Sequence, residues 1–250
     1  MRNNICEIHV LETIPFEEAW ILQEKIAAEV AAGERLPTLL LLERPHTYTF
    51  GRRGDPTKLL FSERELRERG IVVHWVDRGG DVTYHGPGQL VGYPLIPLEN
   101  IKWDGRVPRV DYVGYIRKLE TVLIQSLTQF AIESSQIEGL TGVWIQPGFA
   151  ALSSLSPHTS PSKIASIGVK VDSHGITRHG FALNVNPDMS LWEGIIACGL
   201  EDHPQISLAD LLSPPPELDT VQQTICKQFL DVFGYEGTFI EESDGILPAT

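Results

Sequence analysis

One α/β domain is the fold this sequence predicts, and three observations predict it. Stretches of strand and helix character interleave along the whole chain, and no internal repeat points to a solenoid or propeller. Hydrophobic residues make up 42% of the 250 positions and charged residues 21%, the mix of a globular chain rather than a disordered one. A chain of this length buries roughly 70–75% of its unfolded surface, enough for one sizeable core. Residues 1–240 are expected to form this single domain.

The elements follow in order. Cys6 lies near an N-terminal strand. Pro15 opens a helix, because proline suits the first helical position, and Glu17 and Glu18 complement the N-terminal dipole. Trp20, Ile26, Ala27 and Val30 recur at helical spacing, and Gly33 ends the run. Thr38 to Leu42 reads as a buried strand. Ser62 and Glu65 form a capping box for a short charged helix that Gly70 terminates. Ile71 to Val76 is a further strand, and Gln89 to Leu98 is extended.

From Asp111 the period turns helical, with Tyr112, Ile116, Leu119, Leu123 and Leu127 on one face. Gly142 to Ile145 resumes strand character. Lys163–Val171 and Ile176–Val185 read as a hairpin around Asp172-Ser173-His174-Gly175, residues that favour tight turns. Ser190 and Glu193 cap a short helix leading to Cys198. Leu218 to Phe233 is the closing helix, with Val221, Ile225, Phe229 and Val232 inward. Residues 150–162 hold five Ser and two Pro and read as a flexible surface loop, and 241–250 as a polar tail.

Composition excludes several classes. The net charge of −13 (20 basic against 33 acidic residues) argues against a nucleic-acid-binding surface. No apolar run approaches the ~18 residues of a membrane span, and the N-terminal residues lack the apolar stretch of a signal peptide. Cys6, Cys198 and Cys226 are odd in number and far apart, neither a disulfide framework nor a zinc pattern. A reducing cytoplasm is the expected compartment, with no metal and no membrane.

The least ordinary stretch runs from Arg78 to Gln89, with glycines at 79, 80, 86 and 88 and polar Thr83, Tyr84, His85 and Gln89 beside them. It reads either as a glycine-rich turn between two strands or as backbone brought close to a ligand. No Gly-Lys pair exists in the chain, so there is no GxxxxGK[ST] loop. Lys163 opens an otherwise apolar strand, either snorkelling to water at the strand edge or desolvated and ready to exchange protons near neutrality. Cys198, flanked by small residues, suits an exposed nucleophile or a buried structural thiol. Cys226 belongs to the core.

The pattern Arg78-Gly-Gly-x-x-Thr83-Tyr84-His85-x-x-Gly88-Gln89-Leu90-x-x-Tyr93 resembles the signature of the lipoate-pathway octanoyltransferases. Lys163-Ile-Ala-Ser-Ile-Gly, His179-Gly-Phe-Ala-Leu-Asn and Ala-Cys198-Gly match the same family in the same order, as does Glu43 to Arg52. The likeness spans about Leu40 to Leu212. Ala197 stands where the family usually has proline, and the Ser/Pro-rich stretch before Lys163 is longer than usual. Neither departure removes a reacting group.

The resemblance implies a mixed central sheet flanked by helices, as in the catalytic domain of biotin and lipoate protein ligases. It implies octanoyl transfer from octanoyl-acyl carrier protein to a lysine ε-amine on apo lipoyl domains of 2-oxoacid dehydrogenase complexes and of the glycine cleavage H protein. This is the first step of endogenous protein lipoylation, and it uses no cofactor. By the same likeness Cys198 is the nucleophile and Lys163 its acid and base. A free thiol of pKa about 8.5 is only roughly 3% thiolate at pH 7, so a neighbouring lysine has a reason to be there. Arg78, Gly79, Gly80, Asp81, Val82, Thr83, Tyr84, His85, Ser166, Ile167, Gly168, Gly180, Phe181 and Ala182 would line the acyl tunnel and thioester site. His179 and Gln89 would support them, and Phe181 or Leu183 would limit tunnel depth.

Because both protein partners tend to be acidic, a local basic patch at Arg52, Arg53, Arg78, Arg106 and Arg109 is expected. A monomer is the default state. The rival readings are an ATP-dependent lipoate- or biotin-type ligase and a non-catalytic acyl-carrier or lipoyl-domain binding protein.

Overall fold

An eight-stranded mixed sheet is the spine of the computed structural model, which describes residues 4–98, 100–101, 109–148, 160–197 and 203–240. Cys198, Arg106, the tail 241–250 and all but the end of the Ser/Pro-rich stretch lie outside these residues. In chain order the elements are β1 (Ile5–Thr13), α1 (Phe16–Ala32), β2 (Thr38–Glu43), β3 (Thr47–Phe50), α2 (Glu63–Glu68), β4 (Val72–Trp75), β5 (Val82–His85), β6 (Gln89–Leu95), β7 (Asn100–Ile101) and β8 (Arg109–Val110). There follow α3 (Tyr112–Thr128), β9 (Ser135–Ile137), β10 (Leu140–Ile145), β11 (Ser162–Val171), β12 (Thr177–Asn184), α4 (Leu208–Leu211), α5 (Leu218–Phe233) and β13 (Glu236–Ile240).

The main sheet runs β13-β1-β2-β6-β12-β11-β10-β9. β1 pairs in parallel with β13 and β2, and the remaining neighbours are antiparallel. A three-stranded sheet, β4-β3-β5, lies beside it, and β7 pairs with β8. Strands buried on both faces need continuous apolar sequence, which Leu39 to Leu42 supplies. Leu40 and Leu42 face α1, while Leu39 and Leu41 join the core under α3 and α5. A third cluster, around Tyr48, Phe50, Val82, Tyr84 and Trp192, holds the small sheet. Among the described residues no helix is long and apolar enough to cross a membrane.

Most local signals do what their chemistry dictates. Gly33 ends α1 in the left-handed conformation, and Ser62 with Glu65 completes a capping box on α2. Asp111 caps α3 by accepting from the Gly114 amide. Four expectations shift. Pro15 is the N-cap of α1, one residue before the first turn. In α3, Tyr115 takes the inward place instead of Tyr112, whose hydroxyl reaches the Val169 carbonyl at 3.2 Å. The turn before Cys198 is a 3-10 helix over Met189–Gly194, capped by Asp188, which accepts from both the amide and the hydroxyl of Ser190. Val232 is only half-buried, because α5 turns its inward stripe to Val221, Ile225 and Phe229.

Candidate active site

Side-chain size along β11 and β12 creates a cavity. Ser166 pairs with Ala182, which pairs with Val91, and Gly168 pairs with Gly180, so small residues form the floor across β11 and β12. Opposite them stand Thr49 of β3, Thr83 and His85 of β5, and Arg78 and Gly80 from the preceding loop. Lys163 and Ile167 also border the space, as do His179, Phe181, Phe16 and Tyr93, and the cavity measures about 50 Å³.

Strand alternation decides which residues of the glycine-rich motif reach this space. Thr83 and His85 do, whereas Val82 and Tyr84 point into the apolar cluster behind β3. Asp81 is also absent from the lining, since its carboxylate pairs with Lys58 and accepts from the Val82 amide. Gly79 instead donates its amide to the Val169 carbonyl at 2.9 Å. Phe181 borders the cavity, but its ring lies over Gly92 on the opposite face, where a Cβ on Gly92 would meet it at 2.1 Å. Leu183 belongs to that same far core, so neither side chain sets the depth of the cavity.

Arg78 is not a surface charge. Its guanidinium donates to the Thr49 carbonyl and hydroxyl and to the Gly79 carbonyl. Gly168 makes this placement feasible, for a Cβ there would stand 2.9 Å from Arg78 Cδ. Arg78 therefore leaves the expected basic patch. Arg52 and Arg53 are exposed, Arg106 lies outside the described residues, and so does the side chain of Arg109.

Two histidines border the cavity in different ways. His85 Nδ1 is 2.7 Å from Gln89 Oε1, and Gln89 Nε2 donates to the Tyr84 carbonyl and to Asn184 Oδ1. Asn184 Nδ2 donates in turn to the Ile206 carbonyl. Carbonyls only accept, so both amide orientations are fixed and His85 carries its proton on Nδ1. Its Nε2 is left as an acceptor, 3.5 Å from the Thr49 hydroxyl. Burial pushes His85 down to about 3, with the Arg44 charge adding to the effect, so the ring is neutral. His179 has a φ of 55°, a left-handed conformation that a bulky residue adopts only when its surroundings impose it. Here its amide donates to Gln23 Oε1 and its Nε2 meets Asp77 Oδ1 at 2.8 Å. Burial lowers the His179 pKa while Asp77 opposes the shift. Burial would raise Asp77, yet hydrogen bonds from His179 and Lys170 hold it well below the ordinary carboxylate range.

Lys163 is 3% exposed, so it does not snorkel to water. β10 flanks it on one side, and on the other its amide donates to the Pro204 carbonyl (2.8 Å) and its carbonyl accepts from Ile206 (3.0 Å). The side chain passes over Gly142, where a Cβ would stand 2.5 Å from Cε, and Nζ lies 5.0 Å from the centre of the Trp144 ring. Cys6 and Cys226 are buried, and burial raises both thiols to about 12. Neither is a nucleophile at neutral pH. Among the described residues no group of three His, Cys, Asp or Glu side chains is placed to hold a metal ion.

Phe16, Thr49, Val91 and Tyr93 also line the cavity, and Asp77 and Asn184 brace it; Thr49, Tyr93 and Asn184 stood within the matched blocks without being assigned to the site. Asn184 ends the His179-Gly-Phe-Ala-Leu-Asn block, and the signal was there. Phe16 and Asp77 arrive by tertiary packing from segments with no local oddity.

Residues 15–230 match the family of lipoyl protein ligase A/B catalytic domains. The octanoyltransferase of Chloroflexus aurantiacus is 40% identical over 230 residues, covering 92% of this chain and 94% of that protein. That of Acidobacterium capsulatum is 38% identical over 240 residues, with 95% and 94% covered. Among solved structures, a bipartite lipoate protein ligase from Thermoplasma acidophilum superimposes with a TM-score of 0.66 at 15% identity, covering 94% of this chain and 87% of that one. Lipoate-protein ligase A bound with ATP gives 0.61 at 15% identity, with 94% and 89% covered. At that identity the two structures speak for the fold alone.

Proposed function

Since the chain belongs to the lipoyl protein ligase A/B catalytic domain family and is an acyltransferase of the lipoate pathway's octanoyl-transferring kind, we propose a covalent mechanism for it. Octanoyl passes from an acyl carrier protein thioester to Cys198, and from there to a lysine ε-amine on an apo lipoyl domain. The acceptors are lipoyl domains of 2-oxoacid dehydrogenase complexes and of the glycine cleavage H protein. The observation that carries this reading is Lys163, a buried amine at the border of a cavity floored by small residues.

Burial of an amine favours its neutral form, which accepts a proton. Lys163 takes the proton of the Cys198 thiol, and the thiolate attacks the donor carbonyl. The bond from carbonyl carbon to carrier sulfur breaks, and the carrier leaves as a thiol with the proton that Lys163 held. In the second half the acceptor amine attacks the acyl-cysteine. A carbon–nitrogen bond forms, the carbon–sulfur bond to Cys198 breaks, and Lys163 moves the surplus amine proton to the cysteine sulfur. Thioester energy is conserved throughout, so no nucleotide is consumed. Elimination supports the choice of Cys198, since the other two thiols are buried with their protons on. Main-chain donors beside Gly80 and Gly168 are suited to a developing oxyanion. His85, neutral and fixed in tautomer, positions the thioester; Arg52 and Arg53, exposed in a chain of net charge −13, steer the acidic carrier.

The test is intact mass spectrometry after incubation with octanoyl-acyl carrier protein, without ATP or acceptor. One octanoyl gain, absent in Cys198→Ala and discharged by an apo lipoyl domain, is the expected result. Acceptor modification that appears only with ATP and free octanoate would establish a ligase instead. Binding without transfer under either condition would leave a non-catalytic module. Reversal of charge in Arg52→Glu with Arg53→Glu should raise the KM for the carrier severalfold and leave kcat in place.

A further inference from the structure

We infer that Phe16, Val91 and Tyr93 form the end wall of the cavity and measure the acyl chain, an inference that rests on the transfer reading above. Lys163 marks the reactive end on β11. From there the floor crosses the strands from Ser166 to Ala182 to Val91. Beyond β6 the next strand presents Leu40 and Leu42, packed under α1 with no room left. A chain laid along this row meets small side chains first and large ones last.

The end wall is also stiff. The Arg44 guanidinium lies 4.7 Å from the centre of the Phe16 ring and 5.3 Å from that of Tyr93, and its Nε donates to the Tyr93 hydroxyl at 2.9 Å. Arg44 is fully buried, and no carboxylate lies within ion-pair distance of it among the described residues. Its attraction to the two rings, its bonds to the Tyr93 hydroxyl and a longer one of 3.5 Å to the Ile14 carbonyl compensate the buried charge, so the rings are held where they stand. An octanoyl chain ending at that wall leaves no place for two further methylenes.

The experiment presents wild type with an equimolar mixture of hexanoyl-, octanoyl-, decanoyl- and dodecanoyl-acyl carrier protein and reads the adducts by intact mass. In Phe16→Ala and Val91→Ala the decanoyl-to-octanoyl ratio should rise about tenfold, the value of two buried methylenes. Ala182→Val should move the preference toward hexanoyl. Tyr93→Phe keeps the ring, releases Arg44 and should broaden the distribution by a smaller factor. Val91→Ala and Tyr93→Phe are mild enough to keep the test alive if Phe16→Ala does not fold. Unchanged ratios in folded, loaded variants overturn the inference alone. A wild type that takes up no acyl group overturns the transfer reading and this one with it.

Discussion

On one face of the β11–β12 hairpin, Ala165, Val169, Phe181 and Leu183 pack against the core beneath α3 and α5; on the other, Ser166, Gly168, Gly180 and Ala182 leave space against the small sheet. The two faces share a backbone and differ only in side-chain volume. The first face buries apolar area and stabilises the fold. The second gives up that contribution, since a residue the size of leucine in its place would bring about 1.5–3 kcal/mol. Stability and function are thus separated by the two-residue period of a strand, and substitutions one position apart should have opposite consequences.

The largest expected effect comes from the packed face. Leu183→Ala removes a fully buried side chain and should lower unfolding free energy by about 2–5 kcal/mol in urea titration, while the folded fraction still takes up octanoyl. Equal activity loss and stability loss there would show that the faces are not separate. Next is Gly168→Ala on the open face. Its Cβ would crowd Arg78 Cδ and the Gly79 carbonyl, so acyl transfer should fall about 100-fold with a melting temperature close to wild type. A variant that unfolds early would assign Gly168 to the scaffold.

The smallest effect separates the histidines from the carboxylates by pH. His85 titrates near 3 in the folded chain and near 6.5 when unfolded, so the unfolded state binds the extra proton as pH falls through that window. Stability is therefore complete above about pH 6.5 and declines toward pH 3, by up to about 1.4 kcal/mol per pH unit for one proton. Burial lowers His179 and His74 as well, which steepens the slope in the same direction. The depressed Asp77 contributes its own loss only below about pH 4. His85→Gln should flatten the decline between pH 6 and 4.5. A slope unchanged by that substitution would mean His85 is charged in the folded protein.

Much of the fold was legible because its signals are local. Gly33, the Ser62–Glu65 box, the Asp111 cap and the Gly175 turn each act within four residues of where they stand. The small sheet was harder, because Thr47 pairs with His85 across 38 positions and four-residue strands buried on both faces have no alternation to read. For the same reason the motif revealed which segments surround the cavity and not which of their side chains enter it. Val82 and Tyr84 sit in the middle of the recognised pattern yet support the scaffold. Phe16 reaches the cavity from a helix whose composition is ordinary, and Thr49 from a block that matched the family without showing which of its side chains faces the space. Arg44 was hidden because its partners are aromatic rings brought in by tertiary packing, while the neighbouring Glu43 turns its carboxylate to the Gly88 amide instead.

Lys163 is held by hydrogen-bonded neighbours on both sides, with β10 along one edge and Pro204 to Ile206 along the other. Hydrogen bonds in the middle of a sheet open only with the cooperative unit that contains them. The Lys163 and Ile206 amides should therefore rank among the slowest to exchange with deuterium, alongside the central strands. A lysine on such backbone keeps its register for as long as the domain remains folded, and donor and acceptor proteins can come and go without resetting it.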